Sequence, residues 1–256
     1  MENPIANPNP EKVIARTSEC VRRLMEAGLM FDDLQKPIDC PEMRGRLVRF
    51  WRNSGFEPAI SQKHAREIMG RNFFGIEEAI KYFGVIPSKP QLALLAEVPW
   101  SEEVLATRKD SHVLVAVLPM SILDIRGHVK GKGLFYDQDW YNKQFFAKDK
   151  GEVGWQLVGK KPAIGSMGKT WDEQQAPLSK DEETSTARIV VYATIGHFLN
   201  TGERLFEKTY VRCIDLDLDG CRVLVGDFDA EGLDVNNDWD DSRNDNIGLS
   251  VARKSQ

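Results

Sequence analysis

The stretch Arg222–Arg253 reads RVLVGDFDAEGLDVNNDWDDSRNDNIGLSVAR. Its two ends have the grammar of strands. Arg222–Phe228 is rich in β-formers, and Ile247, Leu249 and Val251 alternate with Gly248, Ser250 and Ala252, which predicts a half-buried strand closing the chain. Between them, Gly226–Gly248 is polar and contains no lysine. It is not low-complexity filler, because Leu233, Val235, Trp239 and Ile247 punctuate it. A polar loop of about 20 residues inside a compact domain is usually functional or disordered. Trp239 and the flanking strands speak against disorder. Asp227–Asn246 carries eight acidic residues and a single base, Arg243.

Upstream, Thr209–Asp215 and Arg222–Phe228 form a predicted hairpin joined through Asp219-Gly220. Asp215, Asp217 and Asp219, with Gly220, also spell DxDxDG, the opening of a calcium loop. Such a loop ends on a bidentate Glu at its twelfth position, where this chain has Gly226, so a solvated turn is the first reading and a calcium site the alternative. A helix is predicted over Ala187–Asn200, with Ile189, Tyr192, Ala193 and Leu199 on one face and Gly202 as its stop. Trp171–Leu178 reads as helix and Gly151–Val158 as strand. His112–Leu118 is an apolar run of strand length, followed by a second run at Ile122–Ile125.

Before residue 106 the signals are mostly helical. Residues 1–10 hold Pro4, Pro8 and Pro10 and read as a flexible tail. Over residues 11–105, Val13, Val21, Leu24 and Met25 make a helical stripe in Glu11–Ala27. Ser61 precedes a short helix ending near Gly70, Ile76–Phe83 is another stopped by Gly84, and Ser88 and Ser101 read as N-caps. The expected organisation is α+β, with a mainly helical N-terminal region and a second domain over residues 106–256.

The whole chain has 256 residues and a formal charge of −5. That length supports a full hydrophobic core without disulfide staples. No apolar run approaches the roughly 20 residues of a membrane span, and the N-terminus lacks the apolar centre of a secretory signal, so a cytoplasmic location is expected. Cys20, Cys40, Cys213 and Cys221 have no zinc-type spacing and read as reduced thiols. The four histidines are unpaired in spacing, and the adjacent Ser111 and His112 are expected on opposite faces of a strand. No serine elbow, phosphate loop or HExxH appears. Arg44, Arg46, Arg49 and Arg52 interleave with Leu47, Val48, Phe50 and Trp51. Leu47, Val48 and Trp51 share a helical face, so this reads as an amphipathic solvated helix, with a nucleic-acid patch as the alternative. Phe74–Leu95 has a loose helix-turn-helix outline.

With its flanks, the polar stretch resembles a family. Arg222-Val223-Leu224-Val225-Gly226, Gly232-Leu233, Trp239, Arg243 and Ile247-Gly248-Leu249-Ser250-Val251-Ala252-Arg253 are similar to the end of a C-type-lectin fold of the formylglycine-generating-enzyme type. More narrowly, the chain resembles the variable proteins of diversity-generating retroelements, in which a reverse transcriptase miscopies adenines and overwrites the 3′ end of the gene. A tract of Asn, Asp and Ser between fixed Trp, Arg, Ile and Gly residues is what that process leaves. The specific motifs cover the last 35 residues or so, and at fold level the likeness extends from Val113 onward. Cys213 and Cys221 do not reproduce the copper-binding pair of the oxidases on this fold. Trp239-Asp240-Asp241 echoes a calcium motif of sugar-binding lectins without its companion triplet.

The resemblance implies a C-terminal C-type-lectin-like domain with a variable ligand-binding region at about 227–248. It implies a non-enzymatic protein without cofactor, whose site comprises Asp234, Asn236, Asn237, Asp238, Asp240, Asp241, Ser242, Asn244, Asp245 and Asn246. Leu233, Trp239, Arg243, Ile247, Gly248 and Leu249 would be its scaffold, with Trp239 a buried pin and Arg243 ordering the loop through a carboxylate or carbonyl fork. The excess of carboxylates predicts a protein or peptide partner, basic in character, and neither nucleic acid nor membrane. A copper-dependent oxidase on the same fold, and a nucleic-acid-binding regulator using the N-terminal helices, are the alternatives.

Overall fold

The computed structural model describes residues 9–52 and 56–255, without the side chains of Arg49 and Arg52. The tail expected at residues 1–10 lies outside the described residues except at its end. There Asn9 caps the first helix, accepting from the Glu11 amide at 3.0 Å, and Pro10 takes the first helical position, where its missing N–H costs nothing.

The chain forms two compact units, Met1–Phe56 and Glu57–Gln256. The first contains α1 (Pro10–Glu26), α2 (Gln35–Asp39) and α3 (Pro41–Arg52). The stripe expected in α1 is only partly covered: Val21 and Leu24 are half-buried, Val13 and Met25 exposed. Val48 and Trp51 of α3 are exposed as well.

The second unit starts well before residue 106. It runs α4 (Ile60–Met69), β1 (Phe73–Phe74), α5 (Ile76–Phe83), α6 (Lys89–Leu94), α7 (Glu102–Arg108), β2 (His112–Val117), α8 (Ile122–His128), α9 (Phe145–Lys148), β3 (Gly154–Gly159), α10 (Trp171–Gln175), β4 (Glu182–Glu183), α11 (Ala187–Thr201), β5 (Tyr210–Leu216), β6 (Arg222–Asp229), β7 (Gly232–Asp238), β8 (Ile247–Leu249) and β9 (Ala252–Arg253). Residues 57–105 belong here because β1 pairs in parallel with Leu114 and Val115, and Phe74 and Phe83 pack their rings against Tyr192 of α11. Ser88 and Ser101 cap α6 and α7 as expected. Ser61 lies inside α4, which Ala59 caps instead. In α5, Ile76, Ala79 and Phe83 are buried, so one face of the helix-turn-helix outline is spent on the core.

One sheet has the order β1-β2-β3-β9-β4, the other β7-β6-β5-β8. α11 contacts β1, β2 and β3 of the first and β5 and β6 of the second. Its expected single apolar face is therefore too narrow a reading. Ala187 through His197 are all buried, as befits a helix that is apolar all round and enclosed by other elements. Tyr192 meets its polar need by donating to the Ala116 carbonyl at 2.9 Å. Ile122–Ile125, expected as strand-like, is helical because Ser121 and Asp124 close a capping box after Pro119. β2 begins at His112, so Ser111 lies outside it, and Ser111 Oγ reaches His112 Nδ1 at 2.8 Å rather than pointing away.

The chain's end also differs from the sequence reading. Ile247 to Ala252 are buried throughout, not alternately. β8 runs parallel to β5 in the second sheet, and the chain then crosses to place β9 between β3 and β4 in the first. The four cysteines are free. Among the described residues, no helix is long and apolar enough to cross a membrane.

Candidate functional site

The segment Gly226–Gly248 is not one loop. Its first part completes β6, turns, and returns as β7, pairing Val225 with Val235 and Leu224 with Asn236. Only Trp239–Asn246 is irregular. Alternation along β7 puts Leu233 and Val235 in the core, both fully buried, and Asp234, Asn236 and Asp238 on the opposite face. Gly232 starts this strand at φ +115°, and a Cβ there would come within 2.4 Å of the Phe135 backbone, so no other residue fits.

Tyr210 of β5 shares the outer face and donates to Asp234 Oδ2 at 2.6 Å. Burial, and then the adjoining Asp234 and Asp227 carboxylates, push its hydroxyl pKa upward. Asp234 also accepts from Gln138 Nε2 at 2.7 Å and from Asn236 Nδ2 at 3.3 Å. Asn244 donates to Asp238 Oδ2 at 2.9 Å and to Ser242 Oγ at 3.2 Å. Asp234, Asn236, Asp238, Ser242 and Asn244 are thus brought together in a polar surface. Asp241, Asp245 and Asn246 are exposed on the same loop, and none of the ten residues expected at the surface is buried. Asn237 departs from the group. It takes the parity of Leu233 and Val235 and bonds the Asp217 carboxylate instead.

Three arginines hold the irregular segment. Arg212 of β5 is fully buried beneath it. Its Nη2 donates to the carbonyls of Trp239 at 3.0 Å and Ser242 at 2.9 Å; its Nη1 donates to the Lys169 carbonyl at 2.8 Å and Gln174 Oε1 at 3.2 Å. Asp238 lies 3.5 Å away as the counter-charge. Arg222 of β6 pairs with Asp240 at 3.0 Å and lies 3.8 Å over the Trp171 ring. Arg243 donates to Glu173 of α10 at 2.8 Å, and that bond holds the Glu173 carboxyl below its ordinary range.

Two scaffold assignments change as a result. Trp239 is 57% exposed and is not a buried pin: its side chain is left outside while its carbonyl is held from below. Of the carboxylate or carbonyl fork expected of Arg243, the carbonyl contacts are made by Arg212, while Arg243 takes a carboxylate through one exposed ion pair to Glu173 of α10. Composition hid Arg212 because Thr209–Asp215 reads as an ordinary β run. The available signal was a lone arginine between two core positions, Val211 and Cys213, where an unpaired charge is too costly to bury.

Ile247 and Leu249 are buried, and the Ile247 carbonyl accepts from Gln174 Nε2 at 3.2 Å. Leu249 N donates to Ser166 Oγ at 2.9 Å. A Cβ on Gly248 would lie 2.5 Å from Pro162 and 2.7 Å from the Met167 sulfur, so the strand can sit this deep only with glycine there. At the DxDxDG turn, Asp215 accepts from the first amide of α11, and Asp217 Oδ1 accepts from the amides of Asp219 and Cys221, both at 2.9 Å. Those carboxylates cap a helix and close a turn. Among the described residues, no group of three or more His, Cys, Asp or Glu is placed to hold a metal ion.

This partition sets an expectation for stability. Asn236→Tyr and Asn244→Ser should shift the denaturation free energy by no more than about 0.5 kcal/mol, as for ordinary surface changes. Asn237→Ser should cost about 1 kcal/mol through its lost bond to Asp217, and Leu249→Ala about 2–5 kcal/mol. Denaturant midpoints measure all four, and equal sensitivity at Asn236 and Leu249 would contradict the division into surface and scaffold.

No protein-family model matches the chain, and no curated protein or solved structure matches it.

Proposed function

We propose that the surface formed by β7 and Trp239–Asn246 is a diversified ligand-binding site, on a C-type-lectin-like domain of a retroelement variable protein acting in the cytoplasm. The observation that carries this reading is how the segment is held. Arg212 grips the carbonyls of Trp239 and Ser242, and Trp171 N donates to the Asp240 carbonyl at 2.8 Å. β7 is fixed by strand pairing and by Leu233 and Val235. Backbone-directed restraints do not depend on which side chain the residue carries. Substitution at Asn236, Asp241, Ser242 or Asn244 therefore changes the surface chemistry without removing these restraints.

The test of diversification is genomic. A near-copy of the 3′ coding segment, differing at adenines and lying beside a reverse transcriptase gene, is the expected finding. Without one, the domain is a static binding module.

Charge indicates the partner. Of the eight carboxylates, Asp234, Asp238 and Asp240 are engaged by Tyr210, Arg212 and Arg222. Asp227, Asp229, Glu231, Asp241 and Asp245 are exposed. Trp239 adds an exposed aromatic of the type that anchors protein interfaces. A basic protein or peptide relieves the repulsion among these acids and is steered toward them. Immobilised basic and acidic proteins, screened at two salt concentrations, should show capture by the basic set only, with an association rate that falls as salt rises. Preference for acidic partners, or indifference to salt, would refute this assignment.

A further inference from the structure

Residues 9–52 form helices without a core. Among the described side chains of this segment, none is buried. Ten large apolar side chains are exposed there, among them Ile14, Met30, Phe31, Ile38, Phe50 and Trp51, with Phe31 at 75% and Trp51 at 56%. So much apolar surface in so short a segment marks an interaction site. The helices are not sustained by propensity either. α2 has five residues and α3 twelve, and isolated helices shorter than about 12–15 residues are marginal in water.

The exposed apolar groups include two complementary shapes. One is a groove of about 820 Å³ with Phe31, Leu34, Ile38 and Met43 as its apolar wall. Asp32, Lys36 and Asp39 also line it. Lys36 is paired with Asp33 at 2.7 Å, and Asp39 accepts from neutral Gln35 at 2.8 Å, so the rim is acidic. The other shape is the C-terminal half of α3. Val48 and Trp51 stand three residues apart on one face of it, and both are exposed. α3 carries four arginines against the single Glu42. An apolar knob on a basic helix thus matches an apolar groove with an acidic rim.

One copy cannot make this match with itself. Met43 and Trp51 belong to the same rigid helix, which holds them roughly 12 Å apart along its axis at a rise of about 1.5 Å per residue. A bilayer is a poorer occupant, because it is flat where the groove is concave and its anionic lipids are repelled by the rim. A second copy supplies both halves at once, since two-fold pairing lets each chain give a knob and accept one. Ten exposed large apolar side chains also present area of the order of the roughly 800 Å² per partner that a stable interface buries.

We propose that residues 9–52 are a self-association surface, on which two copies of the chain pair about a two-fold axis with the Val48–Trp51 end of α3 from each seated in the Phe31–Ile38–Met43 groove of the other.

Light scattering on the full chain at micromolar concentration should give twice the 29.0 kDa chain mass. Trp51→Glu and Ile38→Lys, each at an exposed position, should return it to the single-chain mass while a cooperative unfolding transition is retained. Ile164→Glu, at a 96% exposed position in the second unit, should leave the dimer intact. Mixing the two dissociated variants should restore a dimer about tenfold or more tighter than either forms alone. One variant keeps the knob and the other keeps the groove, and the second contact then brings a new cation to a new carboxylate. A monomer at every concentration up to millimolar, a dimer that survives both substitutions or is lost equally with Ile164→Glu, or variants that do not recover on mixing would overturn the proposal. So would a monomer that sediments with vesicles of anionic phospholipid.

Discussion

Arg212→Met is expected to destabilise the second unit by about 3–5 kcal/mol, the range seen when one partner is removed from a buried ionic network. The aliphatic length is retained, so little packing is lost. What disappears is the donor for the carbonyls of Lys169, Trp239 and Ser242 and for Gln174 Oε1, and the counter-charge to Asp238. The loss should be local before it is global. Amide exchange across Trp239–Asn246 should accelerate under conditions where α11 stays protected. Arg212→Lys keeps the charge but not the planar fork, and cannot reach carbonyls on two sides at once, so an intermediate cost is expected. Arg243→Ala removes only an exposed, solvent-screened pair and should cost far less than Arg212→Met. Denaturation of the three variants side by side decides the matter. A cost for Arg212→Met no greater than for Arg243→Ala would mean that the segment is not held from below.

The second large effect is expected from pH. An unfolded histidine takes up its proton near pH 6.5, whereas folded His112 resists until about pH 4, chiefly because of burial and secondarily because of Arg108. Between those values the unfolded state binds more protons, so stability rises with pH and is lost as the solution is acidified. The full difference is about 3 kcal/mol, to order of magnitude, with a slope approaching one proton. Burial lowers the pKa of His197 as well, which adds a contribution of the same sign. Carboxylates also titrate as the pH approaches 4, so the comparison is made with His112→Gln. Its stability should fall less steeply from pH 6.5 to 4.5 than that of the unmodified protein, whatever its stability at neutral pH. Parallel slopes would place the acid sensitivity elsewhere.

Much of the architecture was legible wherever a local signal decided it. The α5 helix over Ile76–Phe83 with Gly84 in the left-handed stop, the α11 helix with Gly202 in the same role, and the β5–β6 hairpin follow from caps, stops and turn residues acting within a few positions of themselves. Ile122–Ile125 went the other way because a capping box outweighed a short apolar run. The core side of the candidate site was legible too. Leu233 and Val235 are buried as their alternation required, because parity along a strand is a local property, whereas Ile247 and Leu249 are buried together with the residues between them.

By itself the sequence determined that Leu233, Val235, Ile247 and Leu249 lie inside and that the polar residues from Asp238 to Asn246 do not. It did not determine what holds the outer ones in place. Arg212 stands 27 residues from Trp239 and 30 from Ser242, and its role exists only once β5 lies beneath the segment. The exposure of Trp239 has the same origin: a backbone already gripped from below needs no aromatic pin. Gly248 gives up its Cβ to Pro162 and Met167, residues far away in the chain. The division at Phe56/Glu57 depends on a two-residue strand, Phe73–Phe74, finding the edge of β2. In each case the deciding interaction joins groups distant in sequence. Its free energy comes from burial and desolvation that arise only in the folded state, and tertiary structure alone assigns it.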